Sequence, residues 1–143
     1  MGNRYIVVRA VDLARKTALL PYYGKLRDAA AAVLRDGACA VVDGDYVMGL
    51  LTERDIVGAA ARGVPADAPV VEAVDRPPLL VEGFEPLWRV AEAMVAARAE
   101  VAAVTVGGKF VGVISAEDIA GAEGQLAEAA EFSGLMSSFA PPA

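Results

Sequence analysis

Gly49-Leu50-Leu51-Thr52-Glu53-Arg54-Asp55 places a hydroxyl at the end of an apolar run and a carboxylate three residues later. The same order of residue types returns as Gly112-Val113-Ile114-Ser115-Ala116-Glu117-Asp118, 63 positions on (112 − 49). If a strand ends at Leu51 and Thr52 opens a helix, the first backbone N–H groups of that helix lack internal partners and carry partial positive charge. A phosphate fits there. Thr52 would add a hydrogen bond, Arg54 a cation, and Asp55 could accept both hydroxyls of a ribose diol. Gly49 would allow a backbone or a flat ring to approach the strand closely. A purine would then lie against strand residues at the start of each half, where Leu20 and Leu80 are available. Thr-x-x-Asp is also the pattern of a capping box, in which the carboxylate reaches back to the cap N–H. Both readings stay open on the residues alone, because one hydroxyl can serve helix and ligand.

The flanking elements repeat as well, which marks one unit used twice. Tyr5–Val8 reads as a short strand, Val11–Ala14 as a helical turn and Thr17–Leu20 as a strand stopped by Pro21. Leu26, Ala29, Ala30, Val33 and Leu34 fall on one helical face, and Gly37 can take the left-handed conformation that ends a helix. Ala38–Val42 and Tyr46–Leu51 form a hairpin about Asp43-Gly44, and the Thr52 helix runs to about Ala61. After a Pro/Ala connector, Val71–Val74, Leu79–Val81, the face Leu87, Val90, Ala91, Met94, Val95, and the strands Val101–Val106 and Phe110–Ile114 repeat this order. The last helix starts at Ser115 and is expected to run to about Phe132. The second helix-to-strand connection is longer by two residues. Trp88 is read as core or dimer packing. The division is residues 1–63, residues 64–125, and a helix end and tail over 126–143.

Composition removes several function classes. The 143 residues carry 13 basic and 19 acidic side chains, a net charge of −6. Such a chain does not attract nucleic acid or an anionic membrane. Histidine is absent, which removes the commonest general base and metal ligand. Cys39, the single cysteine, sits in an apolar run and reads as a buried reduced thiol. No apolar run approaches the roughly 18 residues of a membrane span, and the N-terminus lacks a signal-peptide layout. A cytoplasmic protein without catalytic activity or metal is expected.

The arrangement resembles a pair of CBS domains, a Bateman module. Val11-Asp12-Leu13, Leu26–Ala30 and Ala40–Ile56 carry the likeness in the first half; Val71–Val74, Leu87–Val95 and Val104–Ile119 carry it in the second. The likeness covers about residues 5–125. It implies an α/β (α+β) fold of tandem β-α-β-β-α repeats with pseudo-two-fold symmetry, and clefts that take AMP, ADP, ATP or S-adenosylmethionine. It also implies a homodimer and regulation of an unknown partner protein, with no catalytic domain attached. By motif, Thr52, Arg54 and Asp55 would serve one site and Ser115 and Asp118 the other. Thr17, Ala18, Arg76 and Pro78 would border the base, as would Ala38, Cys39 and Ala40 and Val101 and Ala102. Arg54 against Glu117 suggests that the first site holds phosphates better, with Arg76 able to compensate in the second. The exposed helices and the tail residues Leu135, Met136 and Phe139 are candidate contact surfaces. The competing reading is a ligand-free module of the same fold used for dimerisation or docking.

Overall fold

A computed structural model describes residues 7–123. The chain runs α1 (Ala10–Leu13), β1 (Ala18–Pro21), α2 (Leu26–Asp36), β2 (Cys39–Asp43), β3 (Tyr46–Leu51) and α3 (Glu53–Ala61). A 3-10 turn follows at Val70–Ala73, then β4 (Leu80–Glu82), α4 (Leu87–Ala97), β5 (Val101–Val106) and β6 (Lys109–Ser115). A final helix, α5, occupies residues 116–123. The rest of the expected last helix, to Phe132, and the tail with Leu135, Met136 and Phe139 lie outside the described residues, as do Tyr5 and Ile6.

Each half builds a three-stranded sheet, β1-β2-β3 and β4-β5-β6. The helical crossovers make β1 parallel to β2 and β4 parallel to β5, and the tight hairpins make the third pairing antiparallel. Both hairpins carry a bulge at the same place, between Val41 and Val42 and between Val104 and Thr105. Gly37 ends α2 in the left-handed conformation, φ 85°, as its type foretold.

Two cores form, and they exchange segments. Leu26, Ala29, Val33, Val41 and Leu51 pack with Val70 and Ala73 from the turn that precedes the second sheet. Val81, Leu87, Val90, Met94, Val104 and Ile114 pack with Ala10 from α1, which precedes the first sheet. The leading segment of each half therefore covers the core of the other, although the sequence repeat divides at residue 63. A third cluster, Ala38, Val101 and Val113 with Leu50 against it, lies where the sheets meet.

The exchange accounts for the glycines of the doubled heptad. A Cβ on Gly112 would lie 2.6 Å from the Arg15 carbonyl oxygen, and one on Gly49 would lie 2.6 Å from the Val74 side chain. Both glycines clear the path of a crossing segment, with backbone at one and a valine at the other.

The expected strand at Tyr5–Val8 does not form over its described part. Val7 and Val8 join no sheet; instead the Val8 carbonyl accepts the Leu87 N–H at 3.1 Å, taking up a donor at the start of α4. Leu34 and Val95, placed on the buried faces by spacing, are 80% and 79% exposed. In α2 the core takes Ala32 instead, so the buried stripe is narrower and rotated from the apolar one. Trp88 is not core; it is exposed, with the Arg89 guanidinium 5.2 Å from its ring centre.

Candidate functional site

Both heptads form the expected strand–helix junction. Thr52 caps α3 with extended backbone, and a reciprocal capping box joins it to Asp55. Asp55 Oδ2 accepts the Thr52 N–H at 2.9 Å and the Thr52 hydroxyl at 3.1 Å. In the second copy Asp118 Oδ2 accepts the Ser115 N–H at 3.1 Å, while Ser115 Oγ accepts the Asp118 N–H at 3.0 Å. The capping reading of the motif is realised in both copies.

Each aspartate also meets an arginine that arrives with the opposite half's leading segment. Arg76, just before β4, places Nη2 3.7 Å from Asp55 Oδ1. Arg15, just before β1, places Nε 3.2 Å from Asp118 Oδ2 and donates to the Asp36 carbonyl at 3.0 Å. The two arginines stand 61 positions apart (76 − 15), so the pairing is pseudo-symmetric. Partial burial works to raise the Asp118 carboxyl. The hydrogen bonds from Ser115 and Arg15 and the Arg15 charge outweigh it and hold the group below its usual value.

This crossing corrects the expected allotment of residues. Arg76 belongs to the cleft of Asp55, the first heptad, and not to that of the second. A cavity of about 270 Å³ brings Thr52, Asp55 and Leu50 together with Arg76, Pro77, Pro78, Leu79 and Val101. An apolar wall of prolines and leucine thus faces a hydroxyl, a carboxylate and a guanidinium. A central cavity of about 550 Å³ lies between the starts of the two heptad helices, and is lined by Thr52, Arg54, Ser115, Glu117, Ala38 and Arg15 among others. Arg54 and Glu117 consequently border one space, where separate clefts were expected for them. A third cavity, about 640 Å³, adjoins the first through shared Asp55, Arg76 and Glu100.

Several expected border residues fall elsewhere. Cys39, Ala40 and Ala102 are fully buried on the central strands and present no surface to a ligand. Burial pushes the Cys39 thiol up to about 11. Leu80 is 53% exposed and lines none of these cavities; Leu79, one position earlier, faces the first one. Adjacent strand positions point to opposite faces, so a one-residue error changes the wall. Leu20 and Ala18 lie against the first core, and the Thr17 hydroxyl donates to the Ala38 carbonyl at 2.9 Å. Asp118 is held by Arg15 and lines none of these three cavities.

Sequence reasoning missed Arg15, Leu79 and Glu100. The recurrence of Arg15 at Arg76 was a usable signal. Glu100 belongs to the two-residue extension of the second connection, which follows the left-handed residue Arg98 as Ala99-Glu100. Its carbonyl accepts the Ala116 N–H at 2.9 Å. The first free donor of α5 is thereby used. Among the described residues no such bond is made to the Glu53 N–H at the start of α3. The two helix starts are therefore unequal toward an anion, and α3 is the open one.

Among the described residues no helix is long and apolar enough to cross a membrane, and no three metal-ligating side chains converge.

A family model for the CBS domain matches residues 70–124. No curated protein matches in sequence. Among solved structures, a CBS-domain protein from Agrobacterium tumefaciens is 23% identical with a TM-score of 0.73, covering 86% of this chain and 98% of that one. A CBS domain protein from Pyrobaculum aerophilum, complexed with AMP, is 24% identical with a TM-score of 0.70, covering 78% and 89%. The CBS domain of a bacterial CNNM/CorC family Mg2+ transporter, in complex with ATP, is 16% identical with a TM-score of 0.65, covering 78% and 84%. Residues 70–124 are thus a CBS domain, and the chain as a whole has the fold of a CBS-domain pair.

Proposed function

We propose that this chain is an adenine-nucleotide sensor that regulates a partner protein and does not itself catalyse a reaction. The observation that carries the reading is the convergence of Thr52, Asp55 and Arg76 with Pro77, Pro78 and Leu79 around one cavity. The apolar wall suits a purine face, the Asp55 carboxylate suits the ribose hydroxyls, and the open start of α3 suits the α-phosphate. Arg76 lies within reach of the same phosphate once a ribose displaces it from Asp55. Arg76 in this cavity and Arg54 in the two that adjoin it favour phosphates over the sulfonium of S-adenosylmethionine. The AMP- and ATP-bound relatives agree with an adenine ligand.

A thermal-shift screen with AMP, ADP, ATP, S-adenosylmethionine and NAD tests the proposal. A ligand at 100 times its Kd stabilises by about 2.7 kcal/mol, which for a chain of this size is a readily measured rise in melting temperature. The absence of any shift would favour a ligand-free interaction module. That reading has its own support, since both aspartates are already engaged as caps and in ion pairs.

The chain is further proposed to act as a homodimer through its helical faces, where Leu34, Val57 and Val95 stand exposed. Equilibrium sedimentation should give a dimer mass, reduced to the monomer by Leu34→Glu with Val95→Glu. A wild-type monomer would overturn this.

A further inference from the structure

Arg98 ends α4 with φ 53° and ψ 40°. It is the one non-glycine residue with positive φ among the described residues. The corresponding position in the first half, 61 residues earlier (98 − 37), is Gly37, which takes the same left-handed conformation without a Cβ clash. The repeat therefore has glycine where the backbone asks for it, and in the second half an arginine stands there despite the strain. Strain that persists at a cavity wall points to a side chain kept for what it does.

The cavity that Arg98 lines adjoins the Asp55 cleft and also presents Arg54, Arg62 and Arg76. Three carboxylates share it: Asp55, Asp75 and Glu100. Asp55 is matched by Arg76, and Asp75 by Arg62, each at 3.7 Å. Arg54 and Arg98 make no ion pair among the described residues. In a chain of net charge −6, this is a local excess of cations, offset only in part by Glu100. On the Asp118 side the matching positions hold Gly37 in place of Arg98 and Glu117 in place of Arg54, so these two cations have no counterpart there.

Resting on the nucleotide reading above, we infer that the Arg98 cavity is a phosphate-tail subsite, and that the Asp55 cleft takes a nucleoside di- or triphosphate in preference to a monophosphate. The base and ribose occupy the cavity of Pro78, Leu79 and Asp55. The β- and γ-phosphates extend past the start of α3 toward Arg54 and Arg98, whose planar guanidiniums match phosphate oxygens two at a time.

Calorimetric titration of the full chain and of Arg98→Gly with AMP, ADP and ATP tests this. Glycine is the residue the other half uses, so the variant should melt no lower than the wild type. The wild type should bind ADP and ATP more tightly than AMP. Arg98→Gly should lose about tenfold in ADP and ATP affinity, the worth of a charge-assisted contact, and change AMP affinity by less than about twofold. ATP affinity unaltered by Arg98→Gly, or AMP affinity falling equally, overturns the subsite while leaving the nucleotide reading in place. A wild type that binds none of the three overturns both.

Discussion

Replacing Asp55 with alanine separates the capping role seen in the structure from the ligand-binding role proposed for the same carboxylate. As a cap, Asp55 accepts the Thr52 N–H at 2.9 Å and the Thr52 hydroxyl at 3.1 Å, with its side chain only 11% exposed. Loss of such a cap costs about 1 kcal/mol, a fall of roughly 2–4 °C in melting temperature for a chain of this size. As a ligand group, Asp55 would accept two ribose hydroxyls. A hydrogen bond to a charged acceptor contributes about 1.5–3 kcal/mol. Freeing Arg76 from its 3.7 Å pair returns part of that, because a long pair to a half-exposed guanidinium is worth only about 1 kcal/mol. A net loss of about 2 kcal/mol corresponds to roughly a thirtyfold weaker Kd. Asp118→Ala should weaken nucleotide binding less, since Asp118 lies outside the described cavities and its helix start is already occupied by the Glu100 carbonyl. Calorimetry and thermal melts on the two variants together decide the matter. If Asp55→Ala lowers the melting temperature but leaves nucleotide affinity intact, the carboxylate is a cap and nothing more.

Three further outcomes are expected. Gly112→Ala should destabilise by about 1–3 kcal/mol, read by urea unfolding, because its Cβ would press on the Arg15 backbone at 2.6 Å; an unchanged midpoint would contradict the close crossing. Asp118 has a lowered folded-state pKa, so its contribution is complete above the unfolded value of about 3.9 and is lost as pH falls through the folded one. The stability gap between wild type and Asp118→Asn should therefore be present at neutral pH and close below about pH 4, and a gap independent of pH would refute the pairing. Cys39 is buried with its thiol raised to about 11, so a thiol reagent at pH 8 should label it only on unfolding, whereas fast labelling of the native chain would place it at the surface.

Much of the fold was readable because the repeat supplied two chances at each element. Tyr46–Leu51 and Val101–Val106 formed as strands with the expected bounds, and Gly37 ended its helix as foreseen. What local pattern could not carry was the exchange of leading segments. Apolar spacing identifies Val70, Ala73 and Ala10 as buried but is silent on which core receives them. That exchange sends Arg76 to Asp55 and Arg15 to Asp118, so the site is assembled from pieces far apart in sequence. Cys39, Ala40 and Ala102 were misplaced because a central strand is covered on both faces and leaves nothing for a ligand. Leu80 was misplaced by one step of the strand period. Leu34 and Val95 satisfied a helical face by spacing, but helix rotation is fixed by tertiary packing.

An adenine nucleotide is proposed to sit at the start of α3 against the segment that precedes β4. Backbone amide resonances followed during titration with AMP and ATP address it directly. Saturable shifts are expected at Thr52–Asp55, Arg76 and Leu79, with Arg98 joining them for ATP. Resonances that stay still at those positions, or that move only around Ser115–Asp118, would contradict it.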